Sequence, residues 1–172
     1  MADEAAFVEF AQAVRGQLRR TAYLMCGDWD QASDHVQEAL IRVYVAWPRL
    51  TRAGREHGYA RKAVVSAFLD HARRRSSSEI AREPDPGLPS GQDVAETVTA
   101  RAALMSALAD LPPRQRACVV LRYFEDLSVA DTAAVLGCTE GTVKSQTSRA
   151  LNSLRSTFDL SPHGELLTEG AR

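Results

Sequence analysis

The stretch Leu127–Leu154, LSVADTAAVLGCTEGTVKSQTSRALNSL, leaves the chain few choices, because it reads as two short helices crossing at a tight turn. Ser128 stands where a helix N-cap belongs, and Asp131, three residues on, suits the positive end of a helix. Ala133 is small where a second helix must cross closely. Leu136, Gly137 and Cys138 then supply an apolar anchor, a residue free to take positive φ, and a second small anchor. Thr139 can cap the next helix, with Glu140 in its first turn. Along that second helix Val143, Thr147, Ala150, Leu151 and Leu154 share one face at helical spacing. Thr142, Lys144, Ser145, Ser148, Arg149, Asn152 and Arg155 occupy the other face. A helix buried on one side and lined with short polar and cationic donors on the other suits a DNA major groove. A solvated helical hairpin is the plainer alternative, and the Ala, Gly and small-anchor spacing weighs against it.

No segment reads as a strand of useful length, so the expected fold class is all-α. The run Ser76–Gln92, SSSEIAREPDPGLPSGQ, holds three prolines and two glycines and cannot sustain a helix. It predicts two small helical domains joined by a flexible linker: residues 1–75, a linker over 76–97, and a helix-turn-helix domain over 98–158. Residues 159–172, with Pro162, Gly164 and Gly170, read as a tail. Each domain is small for a core of its own and needs tight helix packing or a partner surface.

The formal net charge of −1 hides a local asymmetry. From Met1 to Pro48 seven acids face four bases; from Arg49 to Arg75 eight bases face only Glu56 and Asp70; from Ser76 to Thr97 five acids face Arg82 alone. A basic segment inside a near-neutral chain is a local nucleic-acid footprint, not the signature of a protein that coats DNA indiscriminately. Cys26, Cys118 and Cys138 are far apart and form no CxxC pair, and the four histidines are scattered. No metal or cofactor is expected, and the cysteines read as small apolar residues. No apolar run is long enough to cross a bilayer and no secretory signal is evident, so membrane insertion is not expected and a cytoplasmic location is.

In the first domain, Phe7–Cys26 predicts a helix with Phe7, Phe10, Val14, Leu18 and Ala22 near one face, ended by Gly27 and followed by a cap at Asp28 or Asp30. The next helix, Asp30–Trp47, has two purposeful faces. Val36, Leu40, Val43 and Trp47 cluster on the core side, while Asp34, Gln37, Glu38, Ile41 and Val45 fall almost opposite. An acidic stripe with aliphatic anchors fits a basic partner surface, and equally a solvated face with two stray hydrophobes. Pro48 is expected to stop this helix and PRLTRAGREHG to form a basic loop. Tyr59–Arg75 predicts a third helix that buries Val64, Val65, Phe68, Leu69 and Ala72 and exposes Tyr59, Lys62, Ser66 and Arg73. Basic residues beside aromatics can bind phosphates and hold unstacked bases. The candidates are Arg49, Arg52, Arg55, Tyr59, Lys62, Ser66, Arg73 and Arg74.

From about Phe7 to Phe158 the chain resembles the extracytoplasmic-function (ECF) group of bacterial sigma-70 factors, on three segments in the right order. ASDHVQEALIRVYVAWPRL is similar to the family's region 2.2, which binds a coiled coil of the β′ subunit of RNA polymerase. By position the resemblance gives those contacts to Asp34, Gln37 and Glu38, with Ile41 on the same stripe. GYARKAVVSAFLDHARRR is similar to regions 2.3 and 2.4, which read and open the −10 promoter element. LPPRQRACVVLRYFEDLSVADTAAVLGCTEGTVKSQTSRAL resembles region 4, which reads the −35 element. There the implied contacts are Thr142, Lys144, Ser145, Ser148, Arg149 and Arg155. Ser66 stands where the family often has Asn, and Gln146 where it often has Arg. The ending SQTSRAL is similar to an actinobacterial SigE-like subgroup.

The resemblance implies a promoter-specificity subunit, not itself an enzyme. Its implied partners are the β′ and β subunits of core RNA polymerase, promoter DNA and an anti-sigma factor. The rival from another class is a LuxR-like regulator, whose helix-turn-helix also carries a Gly turn and Thr-Val-Lys; it would need a strand-bearing sensor half. A catalytic reading finds no His/carboxylate or Cys/His arrangement to rest on.

Overall fold

The computed structural model describes residues 2–79 and 97–159, with side chains over 4–77 and 100–158. Helix α1 spans Ala2–Cys26, α2 Trp29–Ala53 and α3 Glu56–Glu79. Beyond residue 96 come α4 (Thr97–Ala109), α5 (Pro113–Val119), a π-helical turn (Val120–Phe124), α6 (Val129–Leu136) and α7 (Glu140–Asp159). No strand occurs among the described residues.

Helix α1 ends at Gly27, whose φ of 76° suits a residue without Cβ. The Asp28 carboxylate then caps α2 by accepting from the Asp30 and Gln31 amides at 2.9 and 2.8 Å. The core of this half lies between α1, α2 and α3. Val14, Leu18, Val36, Val43, Trp47 and Val64 fill it, and Ala22, Ala32, Ala39 and Ala60 let the helices approach closely. Phe7 and Phe10 close one end on Trp47, with ring centroids 5.4 and 5.0 Å away.

Two expectations fail here. Helix α2 does not stop at Pro48; it runs on through Ala53, and most of the expected basic loop is helical. The proline forfeits an amide bond, a penalty of about 3 kcal/mol in a helix interior. Trp47 and Leu50 are only 4% and 5% exposed, however, and each such side chain gains roughly 1.5–3 kcal/mol from burial. Stopping at Trp47 would take Leu50 out of the core. The stop comes instead at Gly54, with φ of 60° and an amide bonded to the last turn of α2. The second failure is at Ser76–Glu79, which continues α3 where a linker was expected. The Pro/Gly-rich remainder, residues 80–92, lies outside the described residues, as does the tail beyond residue 159.

The crossing read from Leu127–Leu154 forms as expected. Ser128 Oγ accepts from the Asp131 amide at 3.0 Å, Gly137 takes φ of 62°, and Thr139 Oγ1 accepts from the Thr142 amide at 3.2 Å. Val143 and Ala150 are wholly buried, and Ala150 joins Leu108, Leu111 and Val119 in a small core completed by Leu104 and Leu154.

Each half has its own small core, and the two also pack on each other. Met25, Val65 and Phe68 pack with Ala117, Cys118, Val120, Leu121 and Leu136 in one apolar cluster. Arg116 pins the junction: it donates to the Met25 carbonyl in the last turn of α1 and, at 3.0 Å, to the Leu111 carbonyl. Its guanidinium lies 5.9 Å from the Phe68 ring. The three thiols are free; burial pushes Cys118 up to about 11 and raises Cys26, as befits small apolar side chains.

Candidate polymerase and nucleic-acid interfaces

Three surfaces carry the residues singled out in the sequence. On α2, Asp34 and Gln37 are exposed, Ile41 is 65% exposed and Val45 78%. The opposite side of the same helix is core, so the two-faced reading of this segment holds. Glu38 is less available: it is half-buried and paired with Arg42, which also reaches Asp70 at 3.7 Å. Behind the stripe, His35 is 3% exposed and meets His71 with ring centroids 5.3 Å apart. Burial foremost, then His71, holds its pKa below the ordinary value against the pull of Glu38 and Asp34.

The second surface is basic. Arg49, Arg55, Tyr59 and Lys62 line one side of a cleft of about 860 Å³ where the end of α2 meets α3. A neighbouring cleft of about 530 Å³ holds Arg49, Arg52 and Tyr59 with Ile41 and Val45, so the basic surface runs on into the acidic-apolar stripe. Tyr59 and Ser66 are half-buried, where the helical pattern had exposed both. Their neighbours Ala60 and Ala67 sit in the core, which draws these positions to its edge. Ser66 lines neither cleft. Arg73 and Arg74 are exposed but stand apart, about 16 Å farther along α3 at helical rise. Arg73 pairs with Asp70, and both arginines border a separate cleft with Glu38, Arg42 and Ser77.

The third surface is α7. Lys144, Ser145, Ser148, Arg149 and Arg155 are exposed. Thr142 is half-buried, its hydroxyl 2.9 Å from that of Thr139, so it belongs to the cap more than to the open face. Ser145 Oγ bonds the Thr142 carbonyl at 3.0 Å. Gln146 lies beside the buried side, as its position in the pattern requires. Lys144, Ser148, Asn152 and Arg155 border a cleft of about 360 Å³ whose far wall is Arg122 and Tyr123.

Several site-adjacent residues had no sequence signal strong enough to find them. Tyr123 is 57% exposed beside α7, and Arg122 donates to the Leu127 carbonyl to hold the turn before α6. Arg61 looks like Lys62 in composition, yet it turns away from solvent to Glu125 at 3.2 Å. Among the described residues no group of three or more His, Cys, Asp or Glu could hold a metal, and no helix is long and apolar enough to cross a membrane.

Comparison with known proteins gives these surfaces a family setting. Residues 10–78 match the family described as Sigma-70 region 2, and residues 101–154 the family described as Sigma-70, region 4. The chain is 36% identical over 149 residues to RNA polymerase sigma-E factor of Streptomyces coelicolor, covering 87% of this chain and 84% of that one. It is 34% identical over 148 residues to the ECF RNA polymerase sigma factor SigM of Mycobacterium tuberculosis, covering 86% and 74%. In fold it matches the sigma factor RpoE of Bartonella quintana, solved in complex with the anti-sigma factor NepR, with a TM-score of 0.69, 23% identity, and coverage of 91% and 98%. The rival LuxR-like reading finds no support here: residues 10–78 match region 2, and the described residues of that half are helical, with none of the strands a sensor half would bring.

Proposed function

This chain belongs to the ECF group of the sigma-70 factors, SigE-like and an RNA polymerase sigma factor acting in transcription initiation, and from that premise we propose how its surfaces divide the work. Residues 1–79 dock on core polymerase and take the −10 element; residues 97–158 take the −35 element; 80–96 join them and 159–172 follow as a tail. The observation that carries this division is the stripe on α2. Ile41 and Val45 stand in solvent one and two turns beyond Gln37 and Glu38, on a helix whose other face already fills the core. Asp34, Gln37, Glu38 and Ile41 meet the β′ subunit, carboxylates and amide at the rim and the aliphatic side chain as anchor.

Duplex recognition falls to α7. Lys144, Ser145, Ser148, Arg149 and Arg155 enter the major groove, with Thr142 at the helix start. The α2–α3 surface takes the opened strand: Arg49, Arg52, Arg55 and Lys62 hold phosphates, and Tyr59 offers a ring edge to an unpaired base. Ser66, Arg73 and Arg74 lie farther along α3 and serve as phosphate and edge contacts. Unstacking a base costs a few kcal/mol, which binding of the extruded base offsets. The protein contributes specificity, not catalysis; it acts in the cytoplasm, carries no cofactor and engages the β as well as the β′ subunit. The anti-sigma complex of the Bartonella relative supports an anti-sigma factor as a further partner.

Run-off transcription with core polymerase on genomic fragments, with start sites mapped, tests this reading. The wild-type protein is expected to direct discrete starts preceded by a common pair of elements. The double variant Asp34→Ala, Glu38→Ala is expected to lose core binding about tenfold or more while keeping its fold, a loss of about 1.4 kcal/mol. Undiminished capture of core polymerase by the folded double variant overturns the assignment of the stripe.

A further inference from the structure

Ser76, Ser77 and Ser78 follow directly on Arg73, Arg74 and Arg75 in the last turns of α3, and the surfaces described above make no use of their hydroxyls. Arginines two and three residues ahead of a serine are a charge pattern that a kinase reads with carboxylates of its own. Arg75 and Arg74 hold those places for Ser77, and Arg74 and Arg73 hold them for Ser76. Both serines are exposed. A kinase takes its acceptor from extended chain, so this helix end has to unwind locally. Serine is a weak helix former, and the carbonyls of a last turn have no intrahelical partners to lose, so the unwinding costs little.

The surroundings single out Ser77. It stands four residues after Arg73 and three after Arg74, on one strip of the helix surface. With both arginines, Arg42, Glu38 and Asp70 it borders a cleft of about 470 Å³, which Ser76 does not reach. Its hydroxyl donates to the Arg74 carbonyl of its own helix at 2.8 Å. Arg42 pairs with Glu38 and lies 3.7 Å from Asp70, which also holds Arg73. Three cations thus share two carboxylates. A phosphate on Ser77 brings a charge of about −1.5 to −2 and three acceptor oxygens into this cleft, and outcompetes the single charge of Asp70 for Arg73. The negative pole of the helix end opposes the added anion, but it is a partial charge set against two full cations one turn away.

We propose that Ser77 is a phosphorylation site for an arginine-directed serine kinase, and that its phosphate clamps Arg73 and Arg74 and withdraws them from DNA. In the transfer Ser77 Oγ attacks the γ-phosphorus of ATP, the bond to the β–γ bridging oxygen breaks, ADP leaves, and the hydroxyl proton passes to the base of the kinase. The acceptor and the clamp stand on the arginine–serine run and the cleft. The effect on DNA rests on the phosphate-contact role given above to Arg73 and Arg74.

The full-length protein provides the test. Given ATP and a cyclic-AMP-dependent kinase as the arginine-directed probe, it is expected to take up phosphate at Ser77, located by peptide mass spectrometry. Ser77→Ala is expected to take up about tenfold less. No uptake, or uptake at other residues only, overturns the acceptor. Phosphoserine is then built in at position 77 by stop-codon suppression and titrated by phosphorus NMR. Its second ionisation is expected below the ordinary value of about 6, and Arg73→Gln with Arg74→Gln is expected to return it there. An unshifted phosphate overturns the clamp. Holoenzyme carrying phosphoserine at 77 is expected to bind a fluorescent dT12 oligonucleotide about fivefold more weakly, with a shallower salt dependence. In the Arg73→Gln, Arg74→Gln background the phosphate is expected to change binding by less than about twofold, because the cations it acts through are gone. Equal losses in both backgrounds mean simple repulsion and overturn the withdrawal from DNA, as does unchanged binding by a clamped phosphate. Run-off transcription in parallel keeps the two ideas apart. Unmodified holoenzyme that starts no promoter-directed transcription defeats the functional reading, while mass and phosphorus signals still decide the acceptor and the clamp.

Discussion

The exposed polar side of α7 and the basic cleft of α2 and α3 are both lined by cations, but they are built differently. The α7 face is one helix with its own cap, pinned from behind by Val143 and Ala150, and its long side chains stand in solvent. The cleft is assembled from the end of one helix, a Gly turn and the start of another, and its far wall comes from a separate domain. A surface made by one element can read edges at fixed spacing. A surface made by several depends on how the elements sit, and can be opened or closed by moving one of them.

The largest effect that would break this comparison comes from Val143→Asp. A carboxylate at a wholly buried site without a partner is expected to cost on the order of 3–5 kcal/mol, enough to unfold α4–α7. Thermal unfolding by circular dichroism should then retain a transition for α1–α3. Loss of both halves together would mean that the shared cluster, not the local packing, holds α1–α3.

Smaller and more telling is the contrast between readers and anchors. Lys144→Ala or Arg149→Ala, assayed against randomised −35 elements, is expected to lose roughly 1–3 kcal/mol of discrimination at one position. Arg73→Ala with Arg74→Ala should instead weaken open-complex formation uniformly and lower the slope of log affinity against log salt by about one per phosphate contact. Sequence-dependent losses in the second pair, or uniform ones in the first, would reverse the roles.

The smallest expected effect concerns His35, enclosed by His71, Phe68, Glu38, Asp34 and Arg74, with its Nε2 lacking a hydrogen-bond partner among the described residues. Burial depresses its pKa, so the unfolded chain takes up a proton near 6.5 before the folded one does. Stability is therefore full above that value and declines as pH falls below it. Melting temperature should drop between pH 7.5 and 5.5, and His35→Gln should remove most of the difference.

What could be read from the sequence follows the same division between local and assembled. Ser128, Gly137 and Thr139 act on backbone groups within a few residues, so their pattern fixes the helix crossing directly. The stripe on α2 was legible for a related reason, since it needs only a helical period. Pro48 misled because its local penalty is visible in sequence while the burial of Trp47 and Leu50 that outweighs it is tertiary. Ser76–Glu79 misled because α3, already packed over several turns, extends into weak helix formers. Glu125 and Arg61 carry no signature at all. Their meeting joins residues 64 apart in sequence, and Thr21 lies 104 from Glu125.

The passage of α2 through Pro48 has a mechanical meaning. From Asp34 to Arg52 is eighteen residues of uninterrupted helix, about 27 Å at 1.5 Å per residue. The stripe proposed to meet polymerase and the arginines proposed to meet the strand are thus two points on one shaft. No loop lies between them, so seating one end bears on the placing of the other. On the proposed division of work, docking would itself carry Arg49 and Arg52 toward the opened strand, with no separate search.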